Sequence, residues 1–165
     1  MAEATRDPTT AVPTLVVPAD PPRPGHVLPS LTRDAPLTEA EAATLYEACL
    51  RDAVAAADAA GGDLIVTYPS AERVPPDDDG TGPEAAVRAA VAPALADPTA
   101  VRFEVQVGST PSARLGNVVG HLLREADATS VGYLPPTAYD TPRTVVDGAA
   151  MKSRSAELVL GPAPG

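Results

Sequence analysis

Thr14-Leu15-Val16-Val17-Pro18-Ala19-Asp20-Pro21-Pro22-Arg23-Pro24-Gly25-His26-Val27 is a β-branched, apolar run that ends abruptly in a proline-rich loop. A short run of this kind, bounded by Pro and Gly, reads as a strand buried on both faces, as in parallel sheets. In open α/β folds ligands collect outside the carboxyl ends of such strands. The stretch therefore predicts an α/β fold whose first strand covers about residues 12–17. It also predicts that a binding site begins in the loop that follows.

Working outward, the clearest helix start is Leu37-Thr38-Glu39-Ala40-Glu41, where Thr38 and Glu41 have the spacing of a capping box. Leu45, Cys49, Ala53 with Val54, Ala56 with Ala57, and Ala60 recur at helical spacing, Glu47 and Arg51 form an i,i+4 pair, and Gly61-Gly62 stops the helix. Leu64-Ile65-Val66-Thr67-Tyr68 is a second buried strand. A polar loop leads to Pro83, a suitable first helical residue for a helix over Glu84 to Ala92. The acidic triplet Asp77-Asp78-Asp79 fails as a calcium loop, because the twelfth position from Asp77 is Arg88 rather than a bidentate Glu.

Alternation from Ala100 to Val107 marks a strand with one wet face at a sheet edge. Gly108-Ser109-Thr110-Pro111 leads into a helix whose apolar face is Leu115, Val118, Val119, Leu122 and Leu123, with Gly116 and Gly120 read as close-packing positions on the sheet. Ser130 to Leu134 reads as a fourth, inner strand. A helix over Pro142 to Arg154 and a fifth strand over Ala156 to Leu160 complete the order β-α-β-α-β-α-β-α-β. That order implies a Rossmann-like three-layer sandwich: a mostly parallel five-stranded sheet with helices on both faces. Residues 1–11 are polar and aperiodic and are expected as a disordered lead, with 12–165 a single domain.

The 165 residues suit one core, burying roughly two-thirds of the unfolded surface. Aromatic residues are only 3%, so the core leans on Ala and Val. With 12 basic and 22 acidic residues the net charge is −10, which disfavours nucleic acid and anionic membrane surfaces as partners. An acidic chain with Lys152 as its sole lysine resembles proteins adapted to high salt. Cys49 stands alone, excluding an intrachain disulfide and a cysteine metal cluster. There is no apolar stretch of membrane-spanning length and no signal-peptide pattern, which sets the expectation of a cytoplasmic protein. His26 and His121 are the two histidines, and His121 reads as a surface or satisfied side chain. No phosphate-loop, nucleophile-elbow or zinc-protease motif is present, and Gly80-Thr81-Gly82 lacks the third glycine of a dinucleotide fingerprint.

Pro24-Gly25-His26-Val27 with Leu31, followed by Leu37-Thr38-Glu39-Ala40-Glu41-Ala42-Ala43-Thr44-Leu45-Tyr46-Glu47-Ala48-Cys49-Leu50-Arg51-Asp52, resembles the front of the radical-SAM/selenodomain-associated transferase family. That family belongs to the GT-A nucleotide-sugar transferase superfamily, together with 2-phospho-lactate guanylyltransferase. Further along, Gln106 with Gly108 is similar to the family's Gln-Gly loop and Leu115-Gly116-Asn117 to its Leu-Gly-x-Arg turn. Asp140 with Pro142 is similar to its Ser-Asp-Cys-Pro-Asp loop, and Val159-Leu160-Gly161-Pro162-Ala163 to its Val-Leu-Gly-Pro-Ala run.

The resemblance implies a domain that binds a nucleotide or nucleotide sugar with Mg²⁺ or Mn²⁺ and transfers a glycosyl or nucleotidyl group. It implies a phosphate cradle of Arg23, Gly25 and His26 with Arg33 as a further cation, Gln106 and Gly108 beside the nucleotide, and Asp140 with Asp20 nearest a metal. The departures are equally specific. Leu28-Pro29-Ser30 stands where the family has Lys-Thr-Arg, Thr137 stands at the first metal-binding Asp, and the chain ends before the acceptor-side segment. Three readings follow: a GT-A-like nucleotide-binding domain, a non-catalytic binding or assembly subunit that forms a homodimer through an exposed sheet edge, and an early-terminated part of a longer transferase.

Overall fold

The computed structural model describes residues 12–161 apart from 127 and 139; the expected lead at 1–11 and the Pro162-Ala163 part of the Gly-Pro-Ala run lie outside the described residues. The apolar run after Pro13 forms β1 (Thr14–Pro18), and three further strands, β2 (Leu64–Tyr68), β3 (Arg102–Val105) and β4 (Val131–Tyr133), join it in one sheet. All pairings are parallel, in the order β3-β2-β1-β4, with Leu15 opposite Leu64 and Gly132, and Ile65 opposite Arg102. The helices are α1 (Pro29–Asp34), α2 (Glu39–Ala59), α3 (Pro83–Val91), α4 (Pro111–Arg124) and α5 (Arg143–Lys152).

Successive strand residues point to opposite faces, and the sequence uses that period to build two cores. Leu15, Val17, Leu64 and Val66 face the larger one, closed by Leu50 and Val54 of α2, Val87 and Val91 of α3, and Val146 of α5. Val16 and Ile65 point the other way, onto Leu122 of α4 with Val118 and Val131 at the margin. The expected α/β sandwich is therefore present, but its layers are unequal: one face carries several helices, the other rests mainly on α4.

At the start of α2 the Thr38 hydroxyl accepts from the Glu41 N–H (3.2 Å), and the Glu41 carboxylate accepts from the Thr38 N–H (2.8 Å). Those bonds hold the Glu41 carboxyl below its ordinary value. The capping box thus stands where the sequence places it. The buried stripe, however, is Ala42, Ala43, Tyr46, Leu50, Ala53, Val54 and Ala57. Leu45 is 41% exposed, so the expected stripe was about one residue out of phase at its beginning.

Further expectations need correction. The sheet has four strands: residues 156–160 form no strand, and Leu158 and Leu160 are exposed. β4 consequently ends the sheet instead of lying inside it. A three-residue strand offers a neighbour little backbone to pair with, and an apolar run becomes a strand only where such an edge receives it. Leu28-Pro29-Ser30 does not continue the loop but opens α1, with Leu28 in the left-handed region (φ 50°, ψ 47°). Gly116 does not pack on the sheet, since a Cβ there would meet open space; at the buried Gly120 the close neighbour is the Arg124 side chain. The edge expected near Val101 to Val107 is real, since β3 closes the other side of the sheet.

Candidate functional site

Because every strand runs the same way, the segments after β1, β2, β3 and β4 gather on one rim. From β1 the chain moves outward to β2 and β3; α4 then carries it back past β1 to β4 on the opposite side. The strand order reverses between β1 and β4, the position where open parallel sheets leave a crevice for ligands. A cavity of about 680 Å³ opens there. Its floor is Pro18, Asp20 and Thr67, one wall is the end of β3 from Glu104 to Val107, and α4 contributes Arg114, Asn117 and His121. Tyr46 reaches in from α2, and Tyr133 and Thr137 close the β4 side.

Main-chain and side-chain hydrogen bonds fix this rim. The buried Tyr46 hydroxyl accepts from the Asp20 N–H at 2.9 Å, and burial pushes the phenol well above its ordinary value. Gln106 donates from Nε2 to the Thr67 carbonyl (3.1 Å) and accepts on Oε1 from Arg73 Nη2 (2.6 Å). Arg73 Nη2 also lies 3.6 Å from Asp20 Oδ1. Burial, and then the like charge of Arg114, lower the Arg73 guanidinium from its usual range, while Asp20 opposes them. Asn117 donates from Nδ2 to the Val107 carbonyl at 2.9 Å, leaving its oxygen available to a ligand. Burial raises the Tyr133 phenol; Arg114 pulls it down and Asp20 pushes it up, so all three groups share one electrostatic environment. His121 Nδ1 lies 3.0 Å from Glu125 Oε2, the satisfied histidine the sequence suggests, although it also lines the cavity.

Of the residues singled out from sequence, Asp20 and Gln106 line this cavity, and so does Thr137. Gly108 stands at its edge with φ 130°, where an added Cβ would sit 2.9 Å from the Arg114 nitrogen and 3.0 Å from Ala113 Cβ. Gly108→Ala is therefore expected to cost about 1–3 kcal/mol through backbone strain, read as a lower urea midpoint with an unchanged slope. Arg23, Gly25, His26, Arg33 and Asp140 do not line the cavity. Arg23 is turned to the loop after β2, donating from Nη1 to the Pro75 carbonyl (2.6 Å) and from Nη2 to the Thr81 carbonyl (2.7 Å). Gly25 takes φ 74° in the turn closed by His26 N–H on the Arg23 carbonyl, and His26, Arg33 and Asp140 are exposed. Tyr46 and Asn117, quoted in the sequence only as parts of motifs, and Arg114 line the cavity, and Arg73 braces its rim; the sequence reading gave none of the four a site role. The signal for Arg114 was its place in the first turn of the helix that follows Gly108.

The Mg²⁺ or Mn²⁺ implied by the resemblance does not fit this donor set. No three His, Cys, Asp or Glu side chains cluster among the described residues, Thr137 offers a hydroxyl, and Asp20 faces Arg73.

The parallel α/β sheet with helices on both faces and a crevice at the switch point is an architecture shared with a solved structure. The chain superposes on the crystal structure of a protein from Desulfovibrio desulfuricans G20, provisionally designated a nucleotide-diphospho-sugar transferase, with a TM-score of 0.57 and 19% identity. The likeness covers 86% of this chain and 54% of that one, so this chain spans about half that protein's length. No protein-family model and no curated protein matches the chain. Among the described residues no helix is long and apolar enough to cross a membrane.

Proposed function

We propose that the rim cavity binds a nucleotide or nucleotide sugar and that the domain derives from, or acts as, a glycosyl- or nucleotidyltransferase. The observation that carries this reading is the coincidence of a cavity of about 680 Å³ with the reversal of strand order between β1 and β4. Ligand pockets of roughly 300–1,000 Å³ accept molecules of nucleotide-sugar size. The pocket's chemistry is of the right kind: Tyr46, Tyr133, Val105 and Val107 supply apolar contact for a base or sugar ring. Asn117 and Asp20 supply acceptors for ribose or sugar hydroxyls, and Arg114 supplies a cation for phosphate. Gln106 acts differently from a ligand contact, since both ends of its amide are engaged within the protein; it holds the β3 end against β2.

Calorimetric titration with UDP, GTP and UDP-glucose tests the proposal. Saturable heat with at least one of them is expected, and it should fall in Asn117→Ala. Absence of saturable binding for every nucleotide, with and without added metal, would overturn it.

A further inference from the structure

Resting on the nucleotide reading above, we infer that Arg114, backed by Arg73, meets the phosphate charge in this cavity in place of a divalent cation. The charge inventory leads there. Two carboxylates face the cavity, and each is already matched: Glu104 Oε1 lies 2.5 Å from Arg102 Nη2, and Asp20 Oδ1 lies 3.6 Å from Arg73 Nη2. Arg114 has no carboxylate within 4 Å among the described residues. Its guanidinium makes one hydrogen bond among them, from Nη1 to the Gly108 carbonyl, and that one is a long 3.5 Å. A guanidinium carries five N–H donors in a fork that matches two phosphate oxygens, so most of this fork is unspent.

In a chain of net charge −10, an unmatched arginine directed at a rim cavity runs against the general field. The like charge of Arg114 also disfavours the protonated form of Arg73, so the two guanidiniums share a region that an anion between them would relieve. Arg114 further lies near the N-terminus of α4, whose helix dipole adds positive potential of the same sign. A divalent cation at this place would compete with Arg73 for Asp20 and with Arg102 for Glu104, and no three His, Cys, Asp or Glu side chains cluster there among the described residues.

The test is titration of the full chain with UDP and GDP in excess EDTA and again with Mg²⁺ or Mn²⁺, on the wild type, Arg114→Ala, Arg114→Lys and the exposed control Arg154→Gln. The expected result is affinity in EDTA within about twofold of that with metal, and a loss of about 10- to 100-fold in Arg114→Ala, the range of a charge-assisted hydrogen bond. Arg114→Lys should recover part of that loss and Arg154→Gln should lose none. Circular dichroism and the melting temperature establish that each variant is folded; Arg114→Lys keeps the test valid if the alanine variant is not. Binding that requires metal, or Arg114 variants that bind as tightly as wild type, would overturn the inference and leave the nucleotide reading standing. No binding under any condition would overturn both.

Discussion

Leu50→Ala is expected to destabilise the fold by about 2–5 kcal/mol, the cost of a cavity left by a fully buried leucine. Leu50 is 0% exposed and stands midway along α2, against the larger core. Its buried neighbours on the same helix include Ala53 and Ala57, whose methyl groups are too short to reach into the space it would leave. Domains of this size hold about 5–15 kcal/mol in all, so this one change removes a large share of the total. Urea unfolding should show a lower midpoint with an unchanged slope. Leu45→Ala, five residues earlier and 41% exposed, should cost about 0.5 kcal/mol or less. Equal losses at 45 and 50 would mean that α2 is rotated from the orientation described.

That pair of variants also marks where the fold was readable. The ends of α2 were legible because each depends on local chemistry: Thr38 and Glu41 bond to each other, through backbone and side chain, and Gly61 takes φ 78° after the last turn. β1 and β2 were legible because burial on both faces leaves a run of Leu, Ile and Val, with Thr14 and Thr67 the buried polar residues in it. The phase of α2 was not, since a helix rich in alanine shows nearly the same hydrophobicity all round. A fifth strand at 156–160 was wrongly expected for a related reason. Its apolar run is as good as that of β1, but strand formation there depends on a receiving edge, which no local pattern records.

The site divides in the same way. Asp20 and Gln106 line the cavity and Gly108 stands at its edge because they follow strands, and parallel topology brings strand ends together. Arg73 and Arg114 were missed because one lies in a polar loop and the other on a helix. Only the crossover from β3 to β4 sets Arg114 opposite β1. Arg23 was noticed for its charge next to a glycine turn, yet charge alone does not say which way a guanidinium points. In the structure it points along the rim to residues 75–81.

Arg23→Ala should accordingly act on the loop after β2 first, with a cost of about 2–4 kcal/mol. The Arg23 side chain is only 13% exposed, and it joins two stretches more than fifty residues apart through the Pro75 and Thr81 carbonyls. Its Nε lies 2.9 Å from Asp77 Oδ2 without forming a hydrogen bond, and Asp77 is half exposed, so that contact adds little beyond the two carbonyls. Losing the guanidinium leaves both carbonyls to water. Water can reach them only if the loop lifts. Amide hydrogen exchange should therefore accelerate across residues 70–82 more than in β1 or β2, and limited proteolysis should gain a cut there. Arg23→Lys should restore only part of the protection, because one ammonium cannot span two carbonyls as a planar fork does. If exchange in the loop were unchanged while nucleotide affinity fell, Arg23 would be a ligand contact and not the staple of this loop.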